Sequence, residues 1–111
     1  MKVIVKDPNK PCKVIEVTNR LETFQGIVGG SIESVVIQIL SDDGIVCYCN
    51  EEGKLLGLEP NFPLAWNGKV YDIVVGPVVF LRDDGKGGNK SLRDQDIGLI
   101  IEYLRVLELM K

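Results

Sequence analysis

The chain contains 111 residues, of which 16 are acidic, 13 are basic and none is histidine. The resulting net charge of −3 argues against nucleic acid as a partner, because non-specific binding to it requires a basic surface. The absence of histidine excludes catalysis by imidazole and metal sites built from imidazole ligands.

The N-terminal segment predicts a β-hairpin. Val3–Val5 and Lys13–Val17 are short apolar runs typical of strands. Asp7–Pro11 lies between them and contains two prolines, which remove amide donors and favour a turn.

A first helix is predicted after this hairpin. Asn19 is followed three positions later by Glu22, the spacing of a helix N-cap pair. The apolar residues at helical spacing are Leu21, Phe24 and Val28. Gly29 and Gly30 then predict the helix end, because glycine adopts the left-handed conformation without a Cβ penalty.

Two further strands are predicted in the middle of the chain. Ser34–Leu40 is almost continuously apolar, which indicates a strand buried on both faces. Ser41–Gly44 has the composition of a hairpin turn. Ile45–Asn50 then alternates, with Ile45, Cys47 and Cys49 on one face and Val46 and Tyr48 on the other.

The next segment has no clear periodicity. Gly53–Gly68 is predicted to be a long loop, and long loops within compact domains are often functional. Asn67-Gly68 at its end is a type I′ turn signal. Val70–Leu81 predicts one long strand or two short strands divided at Gly76-Pro77, where proline indicates an edge position or a bulge.

The C-terminal segment predicts a long helix after the polar, glycine-rich loop Asp83–Asn89. Ser91, with Asp94 three residues later, is its predicted cap. One apolar stripe consists of Ile97, Ile100, Ile101, Leu104 and Leu107. A second stripe beside it consists of Leu99, Tyr103, Val106 and Met110. Together they cover an arc of roughly 220°, against the ~100° that a surface helix usually buries.

The second stripe leaves two explanations open. Either the Gly53–Gly68 loop folds over it, or another copy of the chain covers it in a homodimer. The elements together predict a single α+β domain spanning residues 1–111, with a mixed or antiparallel sheet of about five strands and two helices, the second long and C-terminal.

Four segments carry a family resemblance. Phe24–Glu33 reads Phe-Gln-x-Ile-Val-Gly-Gly-x-Ile-Glu, and Asn50–Asn61 reads Asn-Glu-Glu-Gly-Lys-Leu-x-Gly-Leu-x-Pro-Asn. With Asp72–Gly76 and Ser91–Asp94, they resemble the DUF3846 family, a small bacterial family of domains of unknown function. Pro77 departs from the small or hydroxyl residue that the resemblance leads us to expect. The resemblance implies occurrence in Gram-positive bacteria, their phages and mobile elements, and it implies no catalytic residue.

The Asn50–Asn61 segment is the candidate binding site. Its candidate residues, with one aromatic residue beyond it, are Asn50, Glu51, Glu52, Lys54, Asn61 and Trp66. Paired carboxylates can act as acid and base when their pKa values differ, but adjacent residues of an extended chain point to opposite faces. A structural explanation is also open, in which the segment is a solvated turn and Phe62 and Trp66 fix the loop to the core.

No metal or cofactor is predicted. Cys47 and Cys49 lie on one strand face, and only the distant Cys12 could add a third thiol toward the four ligands of a structural zinc site. The loop Gly85–Ser91 lies between a strand and a helix, as a phosphate-binding loop does, but Asp84 and Asn89 occupy the required glycine positions.

The sequence therefore favours a small, non-enzymatic binding or interaction protein. The odd number of cysteines, the absence of a signal-peptide pattern and the lack of a run of about 20 apolar residues predict a soluble cytoplasmic protein without membrane association. A role accessory to a phage or mobile element follows from the resemblance alone. The alternatives are a small enzyme or ligand-binding protein that uses the Asn50–Asn61 loop, and an acidic inhibitor of a host defence protein. The expected partners are a second copy, through the C-terminal helix, and an unknown protein.

Overall fold

The computed structural model describes residues 1–109, which form eight strands and three helices. The strands are β1 (Lys2–Lys6), β2 (Lys13–Glu16), β3 (Ile32–Val35), β4 (Ile45–Asn50), β5 (Pro60–Trp66), β6 (Lys69–Val75), β7 (Val78–Asp83) and β8 (Asn89–Lys90). The helices are α1 (Leu21–Val28), α2 (Gln38–Ser41) and α3 (Asp94–Leu109).

The strands form one large sheet and one separate hairpin. The large sheet has six strands in the order β2-β1-β7-β4-β3, with β8 added to the end of β7. The hairpin pairs β5 with β6, and every strand pairing in both sheets is antiparallel. The predicted α+β class and the long C-terminal helix are confirmed, with the hairpin and the short α2 as additions.

The large sheet is covered on both faces. On one face, Phe24 and Val28 of α1 pack against Val3, Val79 and Leu81. On the other face, α3 and the β5–β6 hairpin form a second apolar cluster. The predicted alternation of β4 is confirmed: Ile45, Cys47 and Cys49 belong to this second cluster, while Val46 and Tyr48 pack against the first.

The first helix begins without the predicted cap. The predicted β1–β2 hairpin is present, but Arg20 occupies the N-cap position and makes no side-chain cap hydrogen bond. Asn19 instead donates its amide to the carbonyl of Asn89, at 3.0 Å. The predicted end of the helix is confirmed, because Gly29 has a φ of 81° and its N–H donates to the carbonyl of Gln25.

The prediction of a buried strand over Ser34–Leu40 is wrong. Strand β3 ends at Val35, and a single helical turn, α2, follows. Val36 is 61% and Ile39 is 66% exposed, whereas Ile37 and Leu40 are buried. A continuous apolar run has no period, so it does not distinguish a buried strand from a segment that exposes half of its apolar side chains. The predicted turn Ser41–Gly44 consequently follows a helix and not a strand.

The prediction of a loop over Gly53–Gly68 is also wrong for its second half, which forms β5. The β5–β6 register slips twice, and the slips leave Asn61 and Tyr71 without an opposite residue. Bulges of this kind interrupt the period of two that marks a strand in a sequence. The turn signal at its end is confirmed, with φ of 52° at Asn67 and 76° at Gly68, and so is the division of β6 from β7 at Gly76-Pro77.

A buried charge cluster attaches α3 to the large sheet, and the sequence did not predict it. The predicted cap Ser91 accepts a hydrogen bond from the Lys2 N–H and does not cap the helix. Asp96, fully buried, accepts hydrogen bonds from the Arg93 side chain and N–H and from Arg82 of β7 at 2.8–3.0 Å. Burial by itself raises the pKa of Asp96, but the hydrogen bonds from Arg93 and the charge of Arg82 together hold it below its usual value.

Candidate functional site

The amide of Asn50 is part of the fold. Asn50, at the end of β4, is buried; its Nδ2 donates to the carbonyl of Val28 at 3.1 Å, and its Oδ1 accepts from the Glu52 N–H at 2.8 Å. A Cβ on Gly30 would lie 3.0 Å from that Nδ2. The two longest segments of the family pattern, around Gly29-Gly30 and Asn50, therefore contact each other, and this candidate residue links α1 to the turn that follows β4.

Asn61 is likewise engaged within the protein. It occupies the first bulge of β5, is buried, and donates through Nδ2 to the carbonyls of Lys6 and Gly76, both at 2.8 Å. These bonds attach the β5–β6 hairpin to β1 and to the β6–β7 connection. Its Oδ1 is buried and has no hydrogen-bond partner within residues 1–109, so in this part of the chain the side chain is fixed by donation.

The segment between Asn50 and Asn61 forms a compact turn that packs against β6. Its internal bonds include Leu56 N–H to the Glu52 carbonyl and Leu58 N–H to the Gly53 carbonyl, at 2.9 and 3.0 Å. Leu58 lies so close to Gly76 that a Cβ there would approach its Cδ1 to 2.7 Å. The candidate residues Glu51 and Glu52 are exposed, whereas Lys54 forms a salt bridge with Asp72 of β6.

A groove, hereafter the edge groove, runs between β3 and β6 and has a volume of about 460 Å³. Glu33–Val36 line one side, Tyr71–Val75 line the other, and Cys49 and Leu64 lie between them. The pKa of Cys49 is raised, first by burial and then by the negative charges of Glu33 and Asp72, while Lys54 lowers it. Three of the charges that act on this thiol therefore lie near the same groove.

A second groove, hereafter the hairpin groove, lies at the tip of the β5–β6 hairpin and has a volume of about 570 Å³. Apolar residues from four elements or their connections line it: Val36, Ile39, Leu64, Trp66, Tyr71 and Tyr103. Trp66 is 60% and Tyr71 62% exposed. The candidate residue Trp66 therefore lies at the surface and does not plug the core as the structural explanation expected. Phe62, earlier in β5, is 4% exposed and does belong to the core.

The second stripe of α3 lies only partly under the rest of the chain. Leu99 is 41% and Val106 is 45% exposed, while Tyr103 is half-buried and lines the hairpin groove. Burial, with the nearby Cys47 and Tyr71, raises the pKa of Tyr103 to about 12. The fourth residue of the predicted stripe, Met110, lies outside the described residues. Leu99, Tyr103 and Val106 are hereafter the α3 ridge.

The structure thus separates the predicted site residues. Lys54 and Glu51 line the edge groove together with the buried Asn50, whereas Trp66 lines the hairpin groove and Asn61 lies on the side of β5 that faces β1. Sequence analysis did not identify Val36, Ile39, Tyr71 and Ile73 as surface residues, although all four are at least 45% exposed. Val36 and Ile39 belong to the apolar run Ser34–Leu40, which was interpreted as a strand buried on both faces. Tyr71 and Ile73 belong to Val70–Leu81, which was predicted as strand with no exposed face assigned.

These features define a small α+β domain whose two grooves meet at the exposed strand β6. The chain belongs to the family described as "Domain of unknown function (DUF3846)", whose model matches residues 1–106. No curated protein and no solved structure matches the chain significantly. Within residues 1–109, no helix has the length and apolar character needed to cross a membrane.

Proposed function

We propose that the protein is a non-enzymatic interaction protein that forms a homodimer through the α3 ridge. The observation that carries the proposal is the exposure of Leu99 and Val106, at 41% and 45%, on a stripe of α3 that lies beside its core stripe. No segment within residues 1–109 buries these two side chains. Of the two explanations for the broad apolar arc, cover by a second chain is therefore the better supported.

The neighbouring surface supports the same proposal. Tyr103 connects the α3 ridge to the hairpin groove, where Ile39, Trp66 and Tyr71 are exposed. Contiguous apolar patches larger than a few hundred Å² are uncommon on monomers and often mark protein contacts. Tryptophan and tyrosine are also enriched at such contacts, since they contribute large area with few rotatable bonds.

The charges beside the ridge do not oppose self-association. Glu102 and Arg105 flank it and pair with each other within the helix, at 2.9 Å. Two copies related by a twofold axis would therefore meet without an uncompensated charge from this pair. A twofold dimer is also the commonest arrangement of soluble homo-oligomers.

The alternative functions have less support from the geometry. A ligand site or enzyme built on the Asn50–Asn61 loop lacks two of its candidate groups, because the amides of Asn50 and Asn61 bind the protein's own backbone. The exposed Glu51 and Glu52 remain. An acidic inhibitor would need acidic side chains clustered on one face, and 16 acidic residues against 13 basic ones give only a small surplus for such a cluster. A role accessory to a phage or mobile element rests on the family resemblance and is compatible with any of these functions.

Light scattering of the purified chain at micromolar concentration tests the proposal. We expect a mass of twice 12.3 kDa for the natural sequence, and the monomer mass for Val106→Glu, because burying an unpaired charge in an apolar contact is costly. Val14→Glu is the matched control: Val14 lies on β2 and is also 45% exposed. A monomeric natural chain, or equal dissociation by both variants, would contradict the homodimer.

A further inference from the structure

The edge groove lies between two strands that are each paired on one side. β3 is the last strand of the large sheet and pairs with β4, and β6 pairs with β5. An edge strand presents backbone N–H and C=O groups without a neighbouring strand, which is a template for another extended chain. Both walls of the groove therefore carry backbone groups suited to such a chain.

β6 is exposed to an unusual degree for a strand. All five residues from Lys69 to Ile73 are exposed, and Val70, Tyr71 and Ile73 among them are apolar, at 58%, 62% and 45%. Proteins usually protect an edge strand by keeping it short, charged or covered. A seven-residue edge with three exposed apolar side chains is the type of edge that binds another strand.

A side-chain hydrogen bond protects this edge in the free protein. The Ile73 N–H donates to Oδ1 of Asp72 at 2.8 Å, and the same oxygen accepts a hydrogen bond from Nζ of Lys54. Pro63, opposite Ile73 in β5, has no N–H and cannot donate to the Ile73 carbonyl, so the two residues do not form a doubly hydrogen-bonded pair. A side chain thus occupies a β6 backbone donor that an incoming strand could use, and a side chain can be displaced without unfolding.

The β3 wall adds a charge preference. Glu33 lines the groove, and within residues 1–109 no cationic side chain forms an ion pair with it. Asp72 on the opposite wall is already paired with Lys54. A basic side chain entering the groove would therefore find Glu33 available, whereas an acidic one would be repelled by it.

We propose that the edge groove binds an extended segment of a partner protein by strand addition to β6. The alternate apolar side chains of the bound segment pack on Cys49, Leu64 and Val36, and a Lys or Arg side chain of the segment faces Glu33. Backbone pairing supplies affinity in this mode of recognition, and the alternating side chains supply specificity. The inference rests on the proposed role as an interaction protein, but it uses a different surface from the α3 ridge.

A displayed library of random peptides, selected on the full chain, tests this inference. We expect the enriched peptides to alternate apolar residues with polar ones and to carry Lys or Arg. They should bind the Glu33→Gln variant several-fold more weakly than the natural chain, because one charge contact is lost. Ile73→Pro should weaken binding by at least about tenfold, because it removes an edge donor that strand addition uses. Proline is compatible with an outward-facing edge position, and an unchanged melting temperature would show that the variant folds.

A second measurement does not depend on that variant. N-methylation of alternate residues in a selected peptide should abolish binding in one register and leave it intact in the other, since only every second amide faces β6. Equal effects of N-methylation in both registers, or selected peptides with helical spacing, would overturn the inference. So would equal peptide binding by Ile73→Pro and the natural chain, or a selection that enriches no peptide.

The test of peptide binding to the edge groove is independent of the test of the homodimer. Monomeric Val106→Glu should bind the selected peptide as the natural chain does, because the α3 ridge is not part of the edge groove. Peptide binding by a chain that is monomeric at all concentrations would refute the homodimer and retain the groove. A homodimeric chain that selects no peptide would refute the groove and retain the homodimer.

Discussion

β6 and β7 are consecutive strands of similar apolar content, divided only by Gly76-Pro77, yet they have opposite environments. Val78–Leu81 of β7 are completely buried, because this strand lies between β1 and β4 at the centre of the large sheet. Lys69–Ile73 of β6 are all exposed, because this strand forms the free side of a hairpin. Position in the sheet, and not composition, therefore decides whether an apolar strand is core or surface.

The comparison has a functional consequence. The apolar side chains of β7 contribute to the core, whereas Val70, Tyr71 and Ile73 of β6 are exposed, as the proposed binding edge requires. Substitutions in the two strands should consequently separate stability from association, and the predictions below test that separation from the largest expected effect to the smallest.

The largest effect is expected at the centre of β7. Phe80→Ala should lower the free energy of unfolding by about 4 kcal/mol, because it leaves a cavity in place of a fully buried ring. Tyr71→Ala in β6 should change it by less than about 0.5 kcal/mol, as expected for an exposed position. Urea denaturation measures both, and similar losses in the two variants would refute the contrast between the strands.

The next effect concerns the attachment of α3 to β7. Asp96→Asn should cost about 3 kcal/mol, because it removes the buried charge that pairs with Arg82 and Arg93. The pKa of Asp96 is lower in the folded chain than in the unfolded one, so this stabilisation is fully present above about pH 4, near the ordinary Asp pKa. It is lost as the pH falls through the folded-state pKa.

The pH dependence provides the control for Asp96. Thermal unfolding between neutral and acidic pH should show a smaller acid-induced loss of stability for Asp96→Asn than for the natural chain. Asp94→Asn is the matched variant, since its side chain is 96% exposed at the same end of α3. Equal pH profiles for the natural chain and Asp96→Asn would refute the assigned role.

A smaller effect separates the two parts of the candidate segment. Asn61→Ala should lower the free energy of unfolding by about 1–2 kcal/mol, because the carbonyls of Lys6 and Gly76 lose their donor. Lys54→Ala should leave the melting temperature nearly unchanged, since its salt bridge with Asp72 is exposed. A stable Asn61→Ala variant that has lost peptide or partner binding would instead make Asn61 a contact residue.

The elements with a clear local signal were predicted correctly from the sequence. The β1–β2 hairpin, α1 with its glycine end, the alternating β4 and the turn at Asn67-Gly68 each depend on residues close in the chain. The errors arose where distant parts of the chain decide the outcome. The bulges at Asn61 and Tyr71 concealed β5, and the attachment of α3 to the sheet depends on Arg82, which precedes Asp96 by 14 residues.

The candidate site was predicted in location more than in detail. The Asn50–Asn61 segment does border the edge groove through Asn50, Glu51 and Lys54. Its two asparagines, however, hold the backbone of α1, β1 and the β6–β7 connection. The sequence shows that an amide is present but not whether its partner is a ligand or the protein's own carbonyl group, because that depends on the tertiary fold.

Amide hydrogen exchange of the full chain, with and without a selected peptide, tests the central claim most directly. In the free protein, β7 should exchange only through global unfolding, whereas outward-facing amides of β6 should exchange much faster. Bound peptide should slow exchange in β6, with no change in β2 at the opposite edge of the large sheet. Slow exchange in free β6, or protection by the peptide that does not include β6, would contradict the assignment of β6 as a binding edge.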